Sequence, residues 1–190
     1  MNERNYHEGM DKRMFDFPAF YDRVAKWLPR DAVIAECGVA NGASAIYLAE
    51  ALLNLGKSFK FYWIDSMAYG GDRQLRIIID NMVKANVGQW CEIIPLSSAE
   101  ASTRFPDNHF DFVFIDASHE IEATKADIRC WYPKVKGGCL LAGHDYNSNE
   151  GIEVKLAVNH CIPKEKFEVI ETDANLGVWK TIKREGSLCY

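Results

Sequence analysis

The sequence predicts an α/β protein: a mostly parallel seven-stranded sheet with helices on both faces, ending in an antiparallel hairpin. Short continuous apolar runs alternate with stretches of helical periodicity, the pattern of strands buried on both sides. The first run ends in Glu36-x-Gly38-x-x-x-Gly42 just where a helical pattern begins, a turn that a ligand can approach closely at a helix start. The last two runs are separated only by Thr172 to Leu176, too few residues for a parallel crossover, so they are expected to pair antiparallel.

Taken in order, Phe17, Phe20, Tyr21, Val24, Trp27 and Leu28 recur at three- and four-residue spacing, and Pro29 closes the pattern. Phe15 to Leu28 is therefore expected to be an amphipathic helix, one that either packs on the sheet or covers a substrate pocket. Strands follow at Ala32 to Cys37, Phe59 to Ile64, Cys91 to Leu96, Phe110 to Ile115 and Cys139 to Ala142. Helices are expected at Ala43 to Leu55, Gln74 to Ala85, Ile121 to Trp131 and Gly151 to Cys161. The closing runs are Phe167 to Glu171 and Gly177 to Lys183, and no repeat or linker interrupts the order.

With 190 residues and 48% hydrophobic content, the chain supports one substantial core. An N-terminal helical cap over residues 1–30 is expected to precede a single domain over 31–190. The net charge of -5 comes from 22 basic and 27 acidic residues that are interspersed, which offers no basic stripe to nucleic acid. Six cysteines without a C-x-x-C pair fit buried thiols better than a disulfide framework or a zinc site. A polar N-terminus and the lack of any apolar stretch near ~18 residues lead to the expectation of a cytoplasmic protein without membrane contact. A homodimer is the expected assembly. The scattered tryptophans Trp63, Trp90, Trp131 and Trp179, with Tyr132, read as core packing rather than a base-stacking platform.

In an open parallel sheet the ligand lies beyond the carboxyl ends of the strands. The residues there are Glu36, Gly38, Gly42 and Ser44; then Asp65 and Ser66; then Ser97, Ser98 and Ala99; then Asp116 and His119; and finally His144 and Asp145. Asp65 stands where a carboxylate can accept from both hydroxyls of a ribose. G-x-x-x-x-G-K-[ST] does not occur, so an adenosine is indicated rather than a triphosphate. The segment from Met67 to Arg73, with its glycine pair, is the expected lid.

The glycine turn, the acidic end of the second strand, and FDFVFIDASHE followed by GGCLLAGHDY together resemble class I S-adenosylmethionine-dependent methyltransferases. The resemblance runs from Ala32 to Lys183 and is closest to metal-dependent O-methyltransferases of the catechol, caffeoyl-CoA and macrocin types. It implies the Rossmann-like methyltransferase fold and S-adenosyl-L-methionine as cofactor. The Gly38 to Gly42 turn and Ser44 would hold the methionine portion, Asp65 the ribose, and Ser98 with Ala99 the adenine edge; Glu36, Ser66 and Asp116 complete the cofactor set.

It further implies a divalent metal on Asp116, His144 and Asp145. Catechol-type enzymes carry an Asp-Asn pair where this chain has His144-Asp145, and the imidazole leaves open magnesium, manganese or a softer ion. Either His144 binds the metal or it works on the substrate. His119 holds the spacing of a lysine in catechol-type enzymes and of a histidine in macrocin-type ones, which implies a general base. The implied activity is methylation of a hydroxyl on a small molecule or sugar. The alternatives are a non-catalytic cofactor-binding module, a relative with shifted chemistry such as hydroxylation, and a nucleotide-sugar or dinucleotide enzyme. Read without the resemblance, Asp116 would cap the next helix and His144-Asp145 would be a plain turn.

Overall fold

A computed structural model of the chain describes residues 4–10, 15–147 and 152–184. Gly151, the expected start of the last helix, and Cys189 lie outside these. The strands are β1 (Asp31–Cys37), β2 (Ser58–Ile64), β3 (Cys91–Ile94), β4 (Phe110–Ile115), β5 (Val135–Gly143), β6 (Phe167–Ile170) and β7 (Val178–Ile182). The helices are α1 (Pro18–Trp27), α2 (Ala43–Asn54), α3 (Gly71–Lys84), α4 (Ser98–Ser102), α5 (Ile121–Trp131) and α6 (Ile152–Cys161). One seven-stranded sheet runs β3-β2-β1-β4-β5-β7-β6, with β7 antiparallel to both its neighbours and the rest parallel.

Strand alternation sorts the core into two layers. Ile34, Phe112 and Phe114 face α1 and α2 through Phe20, Tyr21, Ile46 and Leu48. Ala35, Cys37, Val113 and Ile115 face the opposite side with Ile128, Trp131 and Val158 of α5 and α6. Every residue of β4 is buried, as its unbroken run FDFVFI requires. Helix α1 packs on the sheet, with the Tyr21 and Phe114 rings 5.2 Å apart. Trp63, Trp131 and Trp179 are buried, and the five described cysteines are free thiols. No described helix is long and apolar enough to cross a membrane.

Several boundaries differ from expectation for identifiable reasons. β3 stops at Ile94, because Pro95 has no N–H to continue the ladder. β5 begins at Val135 rather than Cys139: Gly137 and Gly138 break its apolar run but not its backbone, and an irregularity between Phe110 and Phe112 of β4 absorbs the extra residues. α4 was not anticipated, although its capping box of Ser97 and Glu100 stands in the sequence. α3 starts at Gly71, so the last part of the expected lid is helix, and the Met67 carbonyl accepts the Gly70 and Gly71 N–H groups.

Candidate functional site

The strand order turns between β1 and β4, and in open parallel sheets ligands bind beyond the carboxyl ends of the strands at such a turn. Gly38 makes that junction possible. Its φ is +87°, its N–H donates to the Ile64 carbonyl at 2.8 Å, and the Asp116 N–H donates to the Cys37 carbonyl at 2.7 Å. A Cβ at position 38 would lie 1.8 Å from the Asp116 carbonyl oxygen, so the glycine turn and the end of β4 share one backbone contact.

Asp65 ties the turn to the end of β2. Its carboxylate accepts from the Ala40 N–H at 3.0 Å, the Met67 N–H at 2.8 Å and the Gln74 side-chain amide at 3.2 Å. A carboxylate has about four acceptor positions, which leaves capacity for roughly one more donor without rearrangement. From α3, Gln74 and Asn81 also donate to the Ala40 and Asn41 carbonyls, which fixes the turn from its outer side. Ser66 and Ala99 are exposed on the rim. Ser98 is turned inward instead: its hydroxyl accepts from Trp131 Nε1 at 2.8 Å beneath α5.

Glu36 and Ser44 lie under the turn rather than on the rim. Glu36 is fully buried, and its carboxyl group is bonded to the Tyr21 hydroxyl at 2.9 Å and to the Ser44 hydroxyl. Burial pushes the carboxyl group up to about 8, against the opposing pull of those two hydroxyls. Between the ordinary carboxylate range and that value the unfolded chain is ionised while the folded chain still holds the proton. Stability is therefore fully present at low pH and is lost as pH rises through about 8. Glu36→Gln removes this dependence. Comparing urea unfolding at pH 5 and pH 8, the variant should gain on the order of 4 kcal/mol relative to the wild type over that interval, and a parallel response of the two proteins would contradict the burial argument.

The end of β4 and the end of β5 bring together the acidic and imidazole groups. Asp116, His144 and Asp145 each offer one ligand atom, and these atoms lie within 4.8 Å of one another. His144 Nδ1 is 3.2 Å from Asp145 Oδ2 and 3.7 Å from Asp116 Oδ1. His119 Nε2 is 3.0 Å from Asp145 Oδ2 and 4.0 Å from Asp116 Oδ1. Asp145 has a φ of +60°, a strained conformation that an aspartate tolerates better than most residues and that turns its carboxylate into the cluster. Asp116 does not cap α5, whose N-cap is Glu120.

Asp116 and Asp145 hold the His119 imidazole up at about 10. Burial lowers the His144 imidazole, but the same two carboxylates outweigh it and hold it near about 10. Burial raises Asp145, yet the two imidazoles bring it well below the usual carboxylate range. The two carboxylates thus raise both imidazoles above their ordinary value. The cluster attracts positive charge, and two carboxylates with one imidazole nitrogen suit manganese, iron, cobalt or zinc and tolerate magnesium. The residues present therefore fit a divalent ion.

One charged residue of the site was missed in the sequence. Asp16, just before α1, accepts from His144 Nε2 at 2.7 Å, and the neighbouring Phe17 ring lies 4.7 Å from the His144 ring. Only the polar residue between Phe15 and Phe17 hinted at it.

Comparisons with known proteins agree with this architecture. The model of a family described as a methyltransferase domain matches residues 35–146. No curated protein matches the chain in sequence. Among solved structures, an O-methyltransferase from Bacillus cereus in complex with SAH is 17% identical, with a TM-score of 0.66, 87% of this chain and 80% of that one covered. A SAM-dependent O-methyltransferase from Thermotoga maritima is 18% identical, with a TM-score of 0.65 and coverage of 88% and 66%. An rRNA methylase from Streptococcus thermophilus is 13% identical, with a TM-score of 0.66 and coverage of 88% and 95%. At these identities the likeness establishes the Rossmann-like methyltransferase fold.

Proposed function

The chain belongs to the methyltransferase-domain family that its residues 35–146 match, and from that membership we propose that it is an S-adenosylmethionine-dependent O-methyltransferase acting, with a divalent ion, on a hydroxyl of a small molecule or sugar. The observation that supports this most is the Gly38 contact with Asp116, which sets the glycine turn and the Asp116, His144 and Asp145 cluster side by side on one rim.

The rim residues divide the work. The turn from Gly38 to Gly42 would hold the methionine portion, and Asp65 the ribose. Since the Ser98 hydroxyl is taken by Trp131, the adenine edge falls to Ala99 and the backbone beside it. Asp116, His144 and Asp145 would hold the ion. When bound, the cofactor supplies an electrophilic methyl group, and the ion lowers the pKa of a hydroxyl attached to it.

His119 is 45% exposed at the mouth of the cluster, so its Nε2 can meet an acceptor that enters from solvent. It can take the acceptor's proton only where Asp116 and Asp145 are neutralised, because unneutralised they keep it protonated. Asp145, bonded to it at 3.0 Å, fixes the ring. The interspersed surface charge favours a small acceptor over RNA.

The test is transfer of labelled methyl groups from S-adenosylmethionine to a panel of catechols, sugars and RNA, with manganese or with EDTA. Label is expected in a hydroxylated small molecule and is expected to vanish with EDTA. His119→Ala should cut transfer by about 10²–10⁴-fold while cofactor affinity holds. Label confined to RNA, or undiminished in metal-free buffer, would overturn the proposal.

A further inference from the structure

We propose that Asp16 is a positioning residue for His144: its carboxylate accepts the hydrogen bond from Nε2–H and thereby commits Nδ1 to a divalent cation shared with Asp116 and Asp145. This rests on the metal reading above and adds a residue that lies outside the matched family region and 128 positions from its partner.

The geometry is specific. The two nitrogens of His144 face different carboxylates: Nε2 meets Asp16 at 2.7 Å, while Nδ1 faces Asp145 at 3.2 Å and Asp116 at 3.7 Å. The His144 and Asp16 side chains are only 4% and 10% exposed, which shields the bond from solvent. A neutral imidazole carries one N–H, and the hydrogen bond at one nitrogen decides which nitrogen keeps a lone pair. With Nε2–H donated to Asp16, the lone pair sits on Nδ1, the side where two further carboxylate oxygens converge. A metal-binding histidine held by an outer carboxylate is a general way to fix ring orientation and raise ligand basicity.

Asp16 is itself held, which lets it hold something else. Its Oδ2 accepts from the Thr172 hydroxyl and from the Ala174 N–H at 3.0 Å, and its carbonyl accepts from the Asp173 N–H at 3.1 Å. Oδ1 is left for His144. The loop between β6 and β7 and the segment before α1 therefore lock together behind the ring, and Phe17 packs against its side. The rigid backing comes from chain segments that contribute nothing to the ion directly.

The experiment measures Mn²⁺ affinity of the full chain by calorimetry, for wild type, Asp16→Ala, Asp16→Asn, Thr172→Ala and Asp116→Ala. It also records the His144 side-chain tautomer by long-range ¹H–¹⁵N NMR on the Zn²⁺-loaded wild type and variants. Asp16→Ala should weaken Mn²⁺ by about 10–100-fold. Asp16→Asn, which keeps an acceptor for Nε2–H, should restore most of that loss. Thr172→Ala, which loosens the clamp without touching His144, should weaken Mn²⁺ less than Asp16→Ala does. The wild type should show Nε2–H with Nδ1 bound to zinc. Wild-type affinity in Asp16→Ala alongside lost binding in Asp116→Ala would overturn the role of Asp16 and leave the metal reading standing. An Nδ1–H tautomer in the zinc-loaded wild type overturns it without recourse to any variant. A wild type that binds no Mn²⁺, or an Asp116→Ala that binds normally, removes the metal reading and this proposal with it.

Discussion

Asp116→Ala is expected to abolish methyl transfer, by about 10³-fold or more, and to weaken Mn²⁺ binding at least about a hundredfold. Asp116 follows β4 directly, and the Asp116 N–H bond to Cys37 pins its backbone to the end of β1. Its Oδ1 lies 3.7 Å from His144 Nδ1 and 4.0 Å from His119 Nε2, so one side chain serves both the ion and the base. Removal leaves Asp145 beside both imidazoles and Asp16 on Nε2 of His144. Both imidazoles, held near about 10 by the pair of carboxylates, then fall toward their ordinary value. A raised imidazole contributes stability below its unfolded value that is lost as pH climbs through the folded one, so the variant should also be less stable at neutral pH. Circular dichroism and calorimetry on the same samples separate loss of the ion from loss of the fold. Undiminished transfer by a folded Asp116→Ala protein would refute the assignment.

Gly38→Ala carries the largest expected structural effect. The added Cβ would meet three backbone atoms, the Asp116 oxygen at 1.8 Å, its carbonyl carbon at 2.4 Å and the Ala117 Cα at 2.8 Å. None of these is the flexible end of a side chain, and the φ of +87° is unfavourable for alanine as well. The junction of β1 and β4 must open, at a cost of about 3–5 kcal/mol, with displacement of Asp116 from the cluster. Gly42→Ala is the informative control. It shares a positive φ of +90°, but its Cβ would make only ordinary contacts at 3.5 and 3.7 Å with Trp63 and Ile46. That variant should lose about 1–2 kcal/mol from backbone strain alone. Equal midpoints for the two variants in urea would contradict the close approach at position 38.

The architecture was legible wherever burial is written as an uninterrupted run or a short spacing. FDFVFI reads as a strand covered on both faces, as β4 is, and the five residues between the last two runs pointed to a hairpin, as the antiparallel pairing of β6 and β7 bears out. Asp116, His144 and Asp145 were legible as a group because each directly follows a strand, and a parallel sheet gathers its strand ends on one side. What could not be read depends on approaches that no local pattern encodes. The inward turn of Ser98 follows from Trp131 reaching across from α5, and the burial of Glu36 follows from Tyr21 of α1 closing over it. Asp16 acts through a ring 128 residues away. The elevated His119 arises from the mutual field of two carboxylates whose separation only folding sets. Gly137 and Gly138 hid the first half of β5 because glycine erases apolar periodicity without ending a strand.

The most direct test of the central claim is a crystal structure of the protein with S-adenosylhomocysteine and Mn²⁺, read by anomalous scattering. The expected result is a manganese peak ligated by Asp116, Asp145 and His144 Nδ1, with the nucleoside ribose on Asp65 and the homocysteine chain along the Gly38 to Gly42 turn. A peak elsewhere, no peak at all, or a nucleoside that does not touch Asp65 would contradict the account.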